Sequence, residues 1–282
     1  MDYAKQFIVK PGSKVDLGKI DAGYKDSHES HEEATPEIEA YRDKLRDLQF
    51  RLYAEEKRSL LICLQALDAA GKDGTVNHVL SAMNPQGCRA YGFKQPSAQE
   101  LAHDFLWRIH KAAPAKGEVA IFNRSHYEDV LVVRVHDLVP KSVWSKRYDL
   151  INDFEQLLVD NGTHVVKFFL HISEDEQLRR FKQRIDDPAR NWKISDADYR
   201  ERSYWTDYQT AYEEALSKCS TEHAPWYVIP ANHKWFRNLA VSEIIVKTLD
   251  AMDPKIPAPS VDLDAIKKQY HAAEVAEKDG KV

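Results

Sequence analysis

No stretch of this 282-residue chain approaches the roughly 20 apolar residues that cross a bilayer, so no membrane-spanning helix is expected. The opening segment, Met1–Lys10, lacks the basic-then-apolar layout of a secretory signal. Cysteine is scarce: Cys63, Cys88 and Cys219 are odd in number, widely spaced and form no CxxC pair. Such a set reads as reduced, buried or half-buried thiols of a cytoplasmic protein, not as a disulfide framework. Positive charge is in deficit, with 40 Lys and Arg against 45 Asp and Glu and a net charge of −5. That balance argues against a general nucleic-acid binder, yet leaves room for a local basic site that takes a polyanion. No internal repeat is visible.

What is present is an ordinary globular balance, 43% hydrophobic and 30% charged, which suits one large α/β domain with a sizeable core. Residues 1–35 are polar and aperiodic and predict an arm that drapes on the surface or is partly mobile. Thr35 then reads as an N-cap with Pro36 at the first helical position. Ile38, Tyr41, Leu45, Leu48 and Leu52 follow at helical spacing. Leu60–Leu64 is an apolar run too short for a helix and suits a strand buried on both faces.

Helix and strand keep alternating. Helices are predicted over Gly74–Met83, over Ser97–Lys111 with a Ser97/Glu100 capping box, over Lys141–Val159 and over Trp235–Met252. Strands are predicted over Arg89–Phe93, Glu118–Phe122, Thr163–Ile172 and Trp226–Ile229. Ser173 caps a charged helical region that runs to about Lys218. The pattern predicts a doubly wound α/β sandwich of three layers around a mostly parallel sheet. Pro254, Pro257 and Pro259 end it, leaving residues 253–282 as a tail in which Leu263, Ile266 and Tyr270 suit a short amphipathic helix, a packing or oligomer contact.

The segment Gln65–Thr75, QALDAAGKDGT, follows a buried strand and opens a helix, the setting of a phosphate loop. There Ala69, Ala70, Gly71, Asp73, Gly74 and Thr75 would turn backbone N–H groups around phosphate, with Lys72 reaching over the outer phosphates. Ala66 replaces the first glycine of the consensus, and Asp73 replaces the hydroxyl residue that touches Mg²⁺. Asp68 offers a carboxylate for part of that metal role. Read blandly, the same segment is a strand-to-helix turn with a solvated Lys72.

A second buried strand ends in Asn123-Arg124-Ser125-His126-Tyr127-Glu128-Asp129. Arg124 would clamp a phosphoryl oxygen, and Glu128 or Asp129 would supply charge for Mg²⁺ or a positioned hydroxyl. His126 suits a hydrogen-bonded structural role better than an acid or base. Between Leu178 and Arg202, eight Lys or Arg face five acids. Arg180 and Arg184 share one helix face. The stretch predicts a mobile lid over the phosphates, at about 174–218, or else solvated faces laced with ion pairs.

Three segments together, LQALDAAGKDGT at 64–75, FNRSHYEDVLVVRV at 122–135 and APWYVIPANHKWFRN at 224–238, resemble the family-2 polyphosphate kinases. The resemblance spans about Leu45 to Met252. It implies a P-loop kinase domain over 36–252, Mg²⁺ dependence, and reversible phosphoryl transfer between inorganic polyphosphate and nucleotides. Asn123 and Glu128 resemble the class III branch, which accepts nucleoside mono- and diphosphates. By motif position it implies Asp68, Lys72, Arg124 and Arg184 as the catalytic set, with Asp68 and Glu128 as metal candidates. Asn123, Glu128, Arg134, Arg180 and Lys193 are expected to bind substrate phosphates. The family's second motif often begins with an acid where this chain has Asn123, which leaves the metal ligands open. A cytoplasmic homo-oligomer, dimer or tetramer, is expected. Two rival readings are an ATP-dependent nucleotide or small-molecule kinase and a nucleotide-binding switch without net transfer.

Overall fold

Strands β1 (Ser59–Gln65), β2 (Cys88–Gly92), β3 (Val119–Asn123), β4 (Thr163–His171) and β5 (Trp226–Pro230) pair into one sheet of order β2–β3–β1–β4–β5, every pairing parallel. The structure is a computed structural model and describes residues 2–278. All seven residues of β1 are buried, because the central strand is covered on both faces. Leu60, Ile62 and Leu64 pack toward the helices His31–Glu55 and Lys234–Met252. Leu61 and Cys63 pack the other way, toward Phe154 and Leu158 of the helix Arg147–Asp160. The result is the expected three-layer α/β sandwich.

Several local expectations shift, among them the helix expected over Lys141–Val159, which divides into Lys141–Trp144 and Arg147–Asp160. The first long helix begins at His31, capped by the Ser30 side chain, so Pro36 lies within it and not at its start. The arm does more than drape. Tyr3, Val9, Val15 and Leu17 are buried, Val9 N–H donates to Trp226 O at 2.8 Å, and Ile8 bridges Tyr227 along the exposed edge of β5. An open strand edge with unpaired backbone groups is what recruits it. The helix expected over Ser97–Lys111 keeps its capping box but splits into Ala98–Leu101 and Trp107–His110, where Asp104 accepts from Leu106 N–H in a local turn. Finally, the charged region divides into Glu174–Asp186, Asp196–Arg202 and Trp205–Cys219. The last of these buries Ala211, Tyr212, Ala215 and Leu216 and belongs to the core, not to a lid.

Candidate active site

The loop Ala66–Gly71 leaves the carboxyl end of β1 and feeds the helix Lys72–Leu80. Its tight path requires positive φ at Ala69 (+63°) and Gly71 (+108°). At Gly71 a side chain is excluded twice over, since an added Cβ would also lie 1.9 Å from Arg237 Nη1.

Every carbonyl of the loop has a donor. Lys72 Nζ reaches Ala66 O at 2.7 Å and Leu67 O at 3.4 Å, and Gln177 Nε2 reaches Asp68 O at 2.9 Å. Arg180 Nη1 reaches Ala69 O at 2.8 Å and Ala70 O at 3.0 Å, Arg237 Nη1 reaches Ala70 O at 3.2 Å, and Thr75 closes on Gly71 O. By contrast, the backbone N–H groups of Ala69, Gly71, Lys72, Asp73 and Gly74 have no acceptor among the described residues. The loop is thus polarised, carbonyls tied back and donors free, at the amino end of a helix. Burial lowers the Lys72 pKa below the usual lysine value, with Asp68 opposing the shift. A phosphate in the loop would supply the missing counter-charge.

Register brings the second motif alongside. Asn123 lies level with Leu64 across the β1–β3 pair, and Arg124 N–H donates to Leu64 O at 3.1 Å. Arg124, at φ +62°, turns its guanidinium to Asp68 Oδ1 at 3.2 Å and Glu128 Oε2 at 3.6 Å. Burial opposes its charge, but Glu128 and Asp68 outweigh burial and raise its pKa. Behind the turn, His126, Glu155, Lys167 and Tyr127 form a fully buried network: His126 Nε2 lies 3.0 Å from Glu155 Oε1, and Lys167 Nζ donates to Tyr127 OH at 2.9 Å. His126 is therefore structural, and burial lowers its pKa.

Two cavities meet at Asp68 and Arg124. The larger, about 720 Å³, is lined by nine Lys or Arg side chains against two carboxylates, Asp68 and Asp73. The smaller, about 380 Å³, carries Asp68, Glu128, Asp198 and Glu201 beside Trp205, Tyr208 and Tyr212. In a chain of net charge −5, nine of the 40 Lys and Arg thus line one groove, a local basic site for a polyanion.

The sequence profile of the family Polyphosphate kinase 2 (PPK2) matches residues 28–257. The chain belongs to the polyphosphate kinase 2 family. Among its relatives, an "AMP/ADP-polyphosphate phosphotransferase" of Meiothermus ruber is 48% identical over 93% of this chain and 98% of the relative. An "ADP-polyphosphate phosphotransferase" of Rhodopseudomonas palustris is 49% identical over 90% and 92%. The crystal structure of polyphosphate kinase 2 from Arthrobacter aurescens TC1 superimposes with a TM-score of 0.93 at 40% identity, covering 96% of this chain and 97% of that one.

Within this polyphosphate kinase 2 fold the residues singled out in the sequence separate into groups. Asp68, Ala69, Gly71, Lys72, Asp73, Gly74, Asn123, Arg124, Arg184 and Lys193 line the basic cavity, and Glu128 lines the other. Ala70, within the loop, and Thr75, in the helix that follows it, are buried. Two of them are engaged by other protein groups in this structure. Arg180 borders the basic cavity, with its Nε and both Nη atoms donating to Glu176 and to the carbonyls of Ala69, Ala70, Ala231 and Asn232. Arg134 lines neither cavity; it binds Tyr148 OH and Glu214 and stacks on Trp144. Asp129, the alternative to Glu128, pairs with Arg147 at 2.8 Å. Sequence reasoning gave no role to Gln177, Lys234 or Arg237, although Lys234 and Arg237 lie inside a quoted motif.

Proposed function

We propose that this protein transfers the terminal phosphoryl group between inorganic polyphosphate and AMP or ADP, with GMP and GDP as further acceptors. The observation that carries this reading is the pair of unlike cavities sharing Asp68 and Arg124. The basic groove suits a polyanion donor seated on the phosphate loop. The aromatic and acidic cavity suits a nucleotide, with aromatic faces for the base and carboxylates for ribose hydroxyls. An oxygen of the acceptor's terminal phosphate attacks the end phosphorus of the chain in line. The new P–O bond forms as the bridging P–O bond breaks, and a chain one unit shorter leaves. Lys72, Arg124 and Arg184 align and neutralise the oxygens, so the protein contributes position and charge.

The residues fit a magnesium ion held mainly by substrate. Among the described residues no three His, Cys, Asp or Glu side chains cluster into a cage. Mg²⁺ is commonly held by one or two carboxylates plus substrate phosphates. Asp68, on both cavities, and Glu128 would hold it, and the bound ion would neutralise developing phosphate charge.

In this reading residues 36–252 are the phosphotransferase domain, with the lid confined to about 174–202 because Trp205–Cys219 is core. Cytoplasmic residence is supported by three buried free thiols. A homo-oligomer is supported by the exposed Leu263, Ile266 and Tyr270 of the helix Leu263–Lys278. The reading is tested by incubating AMP, ADP, GMP and GDP separately with polyphosphate and Mg²⁺ and identifying products. ATP from both adenine nucleotides, by way of ADP for AMP, is expected. Strict use of one acceptor overturns the branch assignment, and transfer only from ATP overturns polyphosphate as donor.

A further inference from the structure

Arg237 sits in the first turn of the helix Lys234–Met252, buried, on the wall of the basic cavity. Its Nη1 donates to Ala70 O at 3.2 Å, while Nε and Nη2 donate to the neutral Asn238 Oδ1 at 3.2 and 2.8 Å. Three other shielded arginines have carboxylate partners: Arg180 has Glu176, Arg147 has Asp129, and Arg134 has Glu214. Arg108, buried without one, donates to Lys94 O and lies over the Phe93 ring, away from the phosphate loop. Arg237 has none within salt-bridge distance among the described residues. A buried charge without a counter-ion is costly unless a ligand completes it. The cost is visible in its pKa, drawn down to about 9 by burial and next by Arg180.

Its placement is as specific as its isolation. Arg237 and Arg180 come from different helices and converge on one carbonyl, that of Ala70. Only the missing side chain of Gly71 allows the guanidinium so near. With the Ala70 carbonyl held by both guanidiniums, the N–H of the same trans peptide, that of Gly71, points the opposite way and has no acceptor among the described residues. This loop lacks the first consensus glycine, and side chains supply outward carbonyl tension in its place.

We propose that Arg237 is a positioning residue for phosphoryl transfer: acting through the Ala70 carbonyl, it holds the phosphate loop open toward the donor, whose charge completes its own. The proposal rests on the donor reading of the basic cavity given above. Nucleotide on the other cavity does not meet Arg237, so its effect divides the two substrates.

The test compares wild type with Arg237→Gln and Arg237→Lys in steady-state kinetics, and measures the rise in Tm caused by tripolyphosphate. In Arg237→Gln, kcat/KM for polyphosphate falls about 10- to 100-fold, the range for a lost charge-assisted hydrogen bond, while the ADP KM stays within about twofold. The tripolyphosphate-induced Tm rise shrinks in the same variant. Arg237→Lys recovers part of both, returning the charge without the fork. Unchanged donor kinetics, a wild-type Tm rise in Arg237→Gln, or failure of both variants to fold would overturn the proposal and make Arg237 a core residue. If wild type does not use polyphosphate at all, the functional reading fails, and the Tm rise still decides the role of Arg237 in anion binding.

Discussion

Asn123 donates its side-chain amide to the Asp73 carboxylate at 2.8 Å, tying the end of β3 to the first turn of the phosphate-loop helix. The chain thus carries one carboxylate where an acid at 123 would set two side by side. Asn123→Asp is expected to place like charges in contact that only a cation relieves. At sub-saturating Mg²⁺ the rate should fall about tenfold, and excess Mg²⁺ should restore it. A Mg²⁺ titration superimposable on wild type would show that the pair has no part in metal demand.

Lys72→Met should reduce transfer by about a thousandfold, since Lys72 is the cation that reaches into the loop. The fold should survive, because the side chain carries a charge that burial disfavours and methionine does not. Turnover and a denaturant melt together check this. Near-normal turnover in a folded variant would remove Lys72 from the chemistry.

Much of this arrangement was legible beforehand, for identifiable reasons. Parallel strands buried on both faces read as unbroken apolar runs, so Leu60–Leu64 and Thr163–Ile172 stood out. Ser173 and the Ser97/Glu100 box announced helix starts by local chemistry alone. Arg180 reads as a substrate ligand because charge in a sequence does not tell whether a guanidinium meets an anion or, as here, five carbonyl and carboxylate oxygens. Arg237 was overlooked for the same reason: its partner lies 167 residues away. The arm was underestimated because its apolar residues are too dispersed to show a period.

Arg180→Ala should destabilise the protein by about 3–5 kcal/mol, the cost of breaking a buried ion pair, here with Glu176. Loss of folded enzyme is expected here in place of the substrate-binding defect that a phosphate ligand would show. Urea denaturation checks it. A variant as stable as wild type with a raised KM would restore Arg180 to substrate contact.

Acid sensitivity should track His78, whose Nε2 lies 2.9 Å from Ser242 Oγ between two helices. Burial holds its pKa near about 4, below the ordinary 6.5. The folded state therefore binds fewer protons than the unfolded state between these values. The contribution is fully present above pH 6.5 and is lost as pH falls through 4, about 3 kcal/mol across the window. His78→Gln should flatten the stability profile between pH 6.5 and 4, with little change in its slope above pH 7. Parallel wild-type and variant profiles would discharge His78 from acid unfolding.

Arg184 decides whether the helical segment over the cavities works as a lid. It stands on the last turn of Glu174–Asp186, with Nη1 donating to Lys193 O at 3.0 Å and Asp198 Oδ1 at 3.3 Å. Arg184 lines the basic cavity, while Asp198 lines the acidic one, so the pair forms part of the wall between donor and acceptor. An arginine fork on the migrating phosphoryl group stabilises charge spread over its equatorial oxygens, a contribution of about 10³–10⁵ in rate. The ion pair itself is only partly shielded and is worth about 1 kcal/mol. Arg184→Ala is accordingly expected to lower kcat about a thousandfold with a small loss of Tm, and Arg184→Lys to recover only part, because a point charge replaces the fork. Asp198→Asn, which frees the guanidinium but keeps its length, should cost far less kcat than Arg184→Ala. If Arg184→Ala leaves kcat unchanged, or merely unfolds the protein, the fork never reaches the phosphoryl group and the pair with Asp198 is its whole purpose.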